Sequence, residues 1–306
     1  MKLNRKAQFI IAVMLLPLVG FYYLFLYDGP YVGLIEDWDG SLVFAHRGFG
    51  NYAPDNSMAA VQLAVDNGLD GVDIDGQLTG DGELVIFHDV WVDRLTDGSG
   101  RLDELSLEQF QALDLGSAFD EAYAGESPGT FEDALNILDG NGILMVELKT
   151  PAIFDNGFAA RAGAIIKKYE AYDWVYLSSF NPFVLYRLKK INPSIRTVFI
   201  FMDTNWNQEI RNEVPAGELA DLPFFLLTEF FRRGIRKLVN PDMLSIQQEV
   251  DEQTIKNLLD VGWPIFLWPP DSDDELDAAF RKAPYGIITN EPLKAIQWRE
   301  NHLPDS

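Results

Sequence analysis

Short apolar runs alternate with amphipathic, helix-like stretches along most of this chain, and no other feature limits the fold as strongly. The apolar runs are "LVFAH" (42–46), "DGVDIDGQL" (70–78), "ELVIFHD" (83–89), "ILMVELK" (143–149), "WVYLSSF" (174–180), "IRTVFIF" (195–201), "DMLSI" (242–246), "PIFLW" (264–268) and "YGIITN" (285–290). Between them lie stretches with helical spacing and end signals. "NSMAAVQLAVDNG" has Asn56 or Ser57 to cap it and Gly68 past its end. "GTFEDALNILDGNG" has Thr130 as cap and Gly140 as stop, and "PFVLYRLKKINP" opens with Pro182. About eight strands alternating with helices predict an α/β protein, a (β/α)8 barrel. An open doubly wound sheet would call for a glycine-rich phosphate loop after the first strand, and none follows it. Two stretches exceed what a minimal barrel needs: residues 93–128, read as a loop or small insertion, and residues 201–240, a longer excursion.

A second constraint precedes the alternation. Residues 7–27, "AQFIIAVMLLPLVGFYYLFLY", carry no charge. Twenty-one helical residues span about 30 Å, the hydrocarbon thickness of a bilayer. Lys2, Arg5 and Lys6 come before the run, and Asp28, Glu36, Asp37 and Asp39 come after it. The positive-inside rule then predicts a single transmembrane helix with a cytoplasmic N-terminus and the body of the protein on the extracytoplasmic side. A cleaved signal peptide has a shorter apolar core that ends in small residues. This run ends in aromatics suited to a membrane interface, and it is read as an uncleaved anchor. The expected layout is an anchor with its basic flank over residues 1–30, a linker over 31–40 and a barrel over 41–306.

Acidic residues outnumber basic ones 47 to 24, for a formal net charge of −23. Such a surface repels nucleic acid and anionic membrane, so no nucleic-acid partner is expected, and a phosphate-bearing substrate would need local cations to enter. The chain has no cysteine, which fits either a reducing or an exported setting. One segment of the body gathers bases: "PFFLLTEFFRRGIRKLVN" (223–240) sets Phe224, Phe225, Leu226, Leu227, Phe230 and Phe231 beside Arg232, Arg233, Arg236 and Lys237. Read as a barrel helix, it packs its apolar face inward and exposes its bases. Read as an interfacial helix, it rests on lipid and guides a lysophospholipid toward the site.

Strand side chains alternate, so Asp73 and Asp75 share a face, as do Glu147 and Lys149. Clustered carboxylates are costly to bury, a divalent cation relieves that cost, and all-oxygen donors favour Mg²⁺ or Ca²⁺. Only three histidines exist, and two of them, His46 and His88, follow predicted strands beside Arg47 and Asp89. Barrel chemistry gathers at the C-terminal ends of strands, and histidine exchanges protons near neutral pH.

Three ordered motifs, "HRGFGNYAPDNSMAA" (46–60), "GLDGVDIDGQLTGDGELVIFHD" (68–89) and "VELK" (146–149), resemble the signature of the glycerophosphodiester phosphodiesterase family. Weaker echoes are "LSSFNP" and "YGIITNEP", and the resemblance spans roughly residues 42–292. It implies a (β/α)8 barrel that hydrolyses glycerophosphodiesters, or lysophospholipids in the manner of a lysophospholipase D. It also implies His46 and His88 as the acid/base pair, and Arg47 and Lys149 as phosphate-binding cations. Asp73, Asp75 and Glu147 match its metal ligands, joined by Asp55 either as a further ligand or as a group that supports them, with Asn56 and Trp268 in the substrate pocket. This chain departs from the pattern at Asp55 and Asp73, where the family carries glutamates. Its "WPPD" (268–271) also differs, and Asn290 replaces a usual aspartate. Two other readings remain at this level: a phosphatidylinositol-type phospholipase C, and a membrane-tethered module that binds phosphoesters with impaired catalysis.

Overall fold

The structure, a computed structural model, describes residues 15–31, 41–150, 157–203 and 228–302. Its centre is a closed ring of parallel strands: β1 (Leu42–Ala45), β2 (Gly71–Leu78), β4 (Ile143–Leu148), β5 (Val175–Ser179), β6 (Arg196–Phe201), β7 (Met243–Gln247), β8 (Ile265–Trp268) and β9 (Gly286–Thr289). Neighbours pair in chain order, and β1 closes the ring by pairing with both β2 and β9. Helices α1 (Met58–Asp66), α3 (Phe131–Leu138), α4 (Phe158–Tyr169), α5 (Pro182–Ile191), α6 (Glu229–Val239), α7 (Glu252–Asp260), α8 (Asp273–Phe280) and α9 (Pro292–His302) separate or follow the strands. This is the α/β barrel the alternation predicts.

Two sets of side chains follow from the two-residue period of the strands. Val43, Val72, Leu144, Leu177, Leu244 and Ile287 belong to the large core between strands and helices. Phe44, Met145, Tyr176, Val198, Met243, Phe266 and Ile288, of opposite parity, form a separate buried cluster. Residues from seven strands meet that way only in the lumen of a closed barrel. Two residues further along, the same faces carry His46, Glu147, Trp268 and Asn290, so the lumen turns from apolar to polar at its C-terminal mouth.

Local signals place the helices. Ser57 caps α1 through Ala60, and Thr130 and Asp133 form a reciprocal capping box on α3. Pro182 occupies the first turn of α5 behind the Asn181 cap.

One element departs from the expected alternation. β3 (Leu84–Ile86) runs antiparallel to β2, with Gly76 opposite Ile86 and Leu78 opposite Leu84, and stands outside the ring. Only residues 79–83 join the two strands, and a parallel crossover needs a dozen or more. The long β2 continues past the ring, and β3 returns the chain to the mouth, where the Phe87 amide donates to the Asp75 carbonyl (2.8 Å). Residues 93–128 form a small appendage that includes α2 (Leu107–Gln111). Val85, Phe87, Val92, Leu102, Phe110 and Leu115 make its own buried core.

The predicted anchor is described only in part. Residues 15–21 are helical and run into a π-helical turn, Tyr22–Leu26. Among the described residues no helix is long and apolar enough to cross a membrane. Residues 7–14 of the apolar run, the linker beyond Tyr31, and Phe224, Phe225, Leu226 and Leu227 lie outside the described residues.

The basic segment does not behave as the sequence suggests. Arg232 and Arg236 on α6 are 1% and 3% exposed. Arg232 donates to the Met202 carbonyl and to Asp203, both at 2.8 Å, and lies over the Phe201 ring. Arg236 pairs with Glu229, and Arg233 with Asp28. The bases face inward because acids from distant parts of the chain meet them there. Phe230 stays 37% exposed and stacks on Phe25 with ring centroids 4.9 Å apart.

Candidate active site

The loop after β1 folds tightly enough to decide where its side chains go. Arg47 adopts a left-handed backbone (φ 53°), unusual for a residue other than glycine and a mark of local strain. Gly48 and Gly50 also have positive φ. A Cβ on Gly50 would sit 2.2 Å from the Asn290 carbonyl, so the loop presses directly on the end of β9. That contact brings the first and last strand ends together. His46 Nδ1 lies 2.8 Å from Asn290 Oδ1. The Asn290 amide is oriented by Asp271, to which its Nδ2 donates (2.8 Å). Asp271 also accepts from the Asn290 backbone amide (2.8 Å) and from the Thr289 hydroxyl (2.9 Å). The oxygen of Asn290 therefore faces His46, which donates from Nδ1 and leaves Nε2 as a proton acceptor. Burial, with the Arg47 charge beside it, holds His46 below the ordinary histidine pKa.

His88 reaches the mouth from β3. Its Nδ1 donates to Asp89 (2.7 Å), and Arg94 grips the same carboxylate with Nε and Nη2 at 2.7 and 2.8 Å. Burial and the Lys149 charge push His88 down to about 4, so it is neutral at pH 7 with Nε2 open. The two imidazoles thus share one arrangement: Nδ1 tied to an oxygen that another group orients.

Between the histidines lies a knot of charge. Asp75 is 3% exposed and faces Glu147 across the β2–β4 ladder. Lys149 Nζ stands 3.4 Å from Asp75 and 3.6 Å from Glu147. Arg47 Nε stands 3.9 Å from Asp75, has no hydrogen-bond partner among the described residues, and is buried. Burial opposes ionisation of Asp75, but Lys149, His88 and Arg47 outweigh it and hold Asp75 well below the carboxylate range. Burial and repulsion by Asp75 and Glu147 raise Asp73 well above its ordinary value. Burial, offset by Lys149 and reinforced by Asp75, pushes Glu147 up to about 7.

The expected site residues thus fall into separate tasks. Asp55 pairs with Arg47 Nη1 (2.9 Å) and steadies the guanidinium. Asn56 is fully buried, with its Nδ2 donating to Asp75 and its Oδ1 accepting from the Asp75 amide, both at 2.8 Å. Its amide is spent on orienting Asp75. Trp268 ends β8, partly buried, with its ring edge-on to Phe180 at 6.2 Å. Asp271, Asn290 and Arg94 act on the histidines, although the sequence marked none of them for that task. The only hint was the altered "WPPD" and the asparagine in place of aspartate.

Among the described residues no group of three or more His, Asp and Glu side chains stands arranged to hold a metal. The donor chemistry nonetheless fits a hard divalent cation. Asp73, Asp75 and Glu147 crowd their carboxyls until two of them resist ionisation, and a bound dication relieves that repulsion.

Comparison with known proteins places the chain in a family and agrees with the fold. The profile of the glycerophosphoryl diester phosphodiesterase family matches residues 46–294. A glycerophosphodiester phosphodiesterase of Caldanaerobacter subterraneus is 29% identical over 260 residues, covering 84% of this chain and 96% of that protein. Human glycerophosphodiester phosphodiesterase 1 is 33% identical over 172 residues, 54% of this chain and 50% of its own length. The structure of an Oleispira antarctica phosphodiesterase, in complex with the product sn-glycerol 3-phosphate, shares the fold. It has a TM-score of 0.68 at 24% identity and covers 84% of this chain and 95% of that one.

Proposed function

The chain belongs to the glycerophosphoryl diester phosphodiesterase family, and on that premise we propose that it hydrolyses glycerophosphodiesters to a glycerol phosphate and an alcohol. One observation carries the reading: His46 and His88, each with Nδ1 tied and Nε2 open, flank a pair of cations, Arg47 and Lys149, at the mouth of the barrel.

The Nε of Arg47, which makes no hydrogen bond among the described residues, and the ammonium of Lys149 suit the anionic phosphodiester, and they offset its charge in a surface otherwise strongly acidic. One histidine Nε2 takes the proton of a substrate glycerol hydroxyl as its oxygen attacks phosphorus. The other, which takes up a proton at Nε2 from solvent as the phosphodiester anion binds beside it, gives that proton to the departing alkoxide. The alcohol leaves with that proton and a cyclic glycerol phosphate remains. Water then adds to phosphorus, the ring P–O bond breaks, and the two histidines exchange roles and return to their starting states. Asn290 and Asp89 hold the imidazoles through both halves. Asp73, Asp75 and Glu147 would hold the divalent cation, Mg²⁺ or Ca²⁺, which when bound supplies charge neutralisation at the phosphoryl oxygens.

For location and substrate breadth, the uncharged run over residues 7–27 supports a single-pass anchor with a cytoplasmic N-terminus and an extracytoplasmic barrel. A membrane setting extends the substrate class to lysophospholipids, cleaved on the headgroup side. The experiment is choline release from glycerophosphocholine and from lysophosphatidylcholine, with Mg²⁺, with Ca²⁺ and with chelator. Turnover of the first that stops on chelation is expected. Binding of either phosphodiester without turnover would overturn the proposal in favour of a phosphoester-binding module.

A further inference from the structure

The end of the apolar run and the residues that follow it, 21–31, are bound to the barrel by contacts that climb its outer wall. Near the N-terminal ends of the strands, the Tyr31 amide donates to the Val261 carbonyl (2.7 Å) and its hydroxyl to the Asp242 carbonyl (2.6 Å). Halfway up, Asp28 meets Arg233 Nη2 at 2.6 Å and Arg236 Nη2 at 3.7 Å. Lys237 closes the carbonyls of Tyr23 and Tyr27. At the top, Phe25 and Phe21 pack on Phe230, with ring centroids 4.9 and 5.9 Å apart. Phe230 lies in the first turn of α6, the helix that Arg232 ties to Met202 and Asp203 just past the C-terminal end of β6. That is the end of the barrel where His46 and His88 open.

The sequence of α6 carries a mark of this fit. Gly234 sits inside the helix, where glycine is unfavourable, and a Cβ there would come within 2.9 Å of the Phe25 ring. The glycine is where the tether enters. The contact leaves a collar of rings partly exposed: Phe21, Tyr22, Tyr23 and Tyr27 are 40–55% exposed and Phe230 is 37% exposed. Leu15, Leu16, Leu18 and Val19 continue the apolar surface at 49–67% exposure. Aromatic rings flanking an apolar helix suit the lipid–water boundary. A patch this apolar is unusual on a body with a net charge of −23.

We propose that the clamp between residues 21–31 and α6 orients the enzyme on a lipid bilayer. It sets the aromatic collar at the rim of the catalytic mouth, so that the site draws an amphiphilic glycerophosphodiester, of the lysophospholipid class, from the lipid surface. This rests on the enzymatic and anchored reading given above. A free tether would let the mouth face any direction, whereas a clamp with ion pairs, capped carbonyls and stacked rings holds one face to the membrane.

The test uses the full chain in phosphatidylcholine vesicles and compares the unaltered protein with two variants. Phe25→Ser with Asp28→Asn releases the clamp from the tether side, and Gly234→Leu blocks it from the barrel side. The expected result is at least a tenfold fall in the ratio of lysophosphatidylcholine to glycerophosphocholine turnover, with the glycerophosphocholine rate within twofold. A ratio within twofold of the unaltered protein overturns the proposal. So does an equal fall in both rates, which would make the clamp a structural strut. Because the chain lacks cysteine, single fluorophores at Asn51→Cys beside the mouth and at Asp173→Cys before β5 read orientation directly. Stronger energy transfer from position 51 to a headgroup-labelled lipid is expected, and equal or reversed transfer overturns the proposal. A chain that cleaves neither substrate refutes the enzymatic reading alone, because the two labels still decide the orientation. A chain that does not float with vesicles overturns the anchored reading and this inference together.

Discussion

Replacing Glu147 with glutamine should stabilise the metal-free protein, and more so as pH rises. Glu147 faces Asp75 across adjacent parallel strands, with Lys149 at 3.6 Å. Burial, offset by Lys149 and reinforced by Asp75, raises its carboxyl from 4.5 to about 7. A group whose pKa is raised on folding contributes its full stability below its unfolded value and loses it as pH rises through the folded one. That change corresponds to about 3 kcal/mol, at roughly 1.4 kcal/mol per pH unit between the two values. Glutamine never ionises and escapes the loss. The difference in unfolding free energy, Glu147→Gln minus parent, should therefore grow by about 3 kcal/mol between pH 4.5 and 7.5. Urea unfolding with chelator present, followed by tryptophan fluorescence, measures it. A difference that stays level across that range would refute the account of Glu147 as a frustrated carboxylate. The same substitution should remove most activity, because the crowding that costs stability is what a divalent ion exploits.

Other outcomes follow from the same geometry. His46→Ala and His88→Ala should each lower turnover of glycerophosphocholine by about 10²–10⁴-fold with an unchanged circular dichroism spectrum; residual activity above a tenth removes that histidine from the proton transfers. Chelation should abolish turnover and Mg²⁺ or Ca²⁺ should restore it, and indifference to chelator would discard the metal assignment. Gly50→Ala should cost more than about 1 kcal/mol, because the residue holds φ +57° and a Cβ would meet the Asn290 carbonyl at 2.2 Å. It should also impair catalysis by displacing the amide that orients His46, and parental kinetics would contradict the role given to Asn290. Arg232→Ala should cost about 3–5 kcal/mol, the range for breaking a buried ion pair, whereas a loss under about 0.5 kcal/mol would mean that the guanidinium lies in solvent.

Periodicity and end signals carried the architecture. Alternating runs such as "ILMVELK" announced strands, Ser57, Thr130 and Pro182 announced helix starts, and two-residue spacing put Asp73 with Asp75 and Glu147 with Lys149. The hairpin of β2 and β3 was written in its five-residue connection, although its apolar content read like one more strand of the ring. These are local properties, decided by backbone geometry within a few residues. The bases of α6 show where local reasoning stops: helical spacing predicted them in solvent, yet Asp28 and Asp203 arrive from remote positions and draw them inward. His46 shows it again, since its partner Asn290 lies 244 residues away and Asp271 acts only through that amide. The chain by itself determined which side chains share a strand face and which residues begin and end helices. Closure of the barrel alone decided which of them meet, because a hydrogen bond or ion pair depends on separation in space, and ring closure sets that separation.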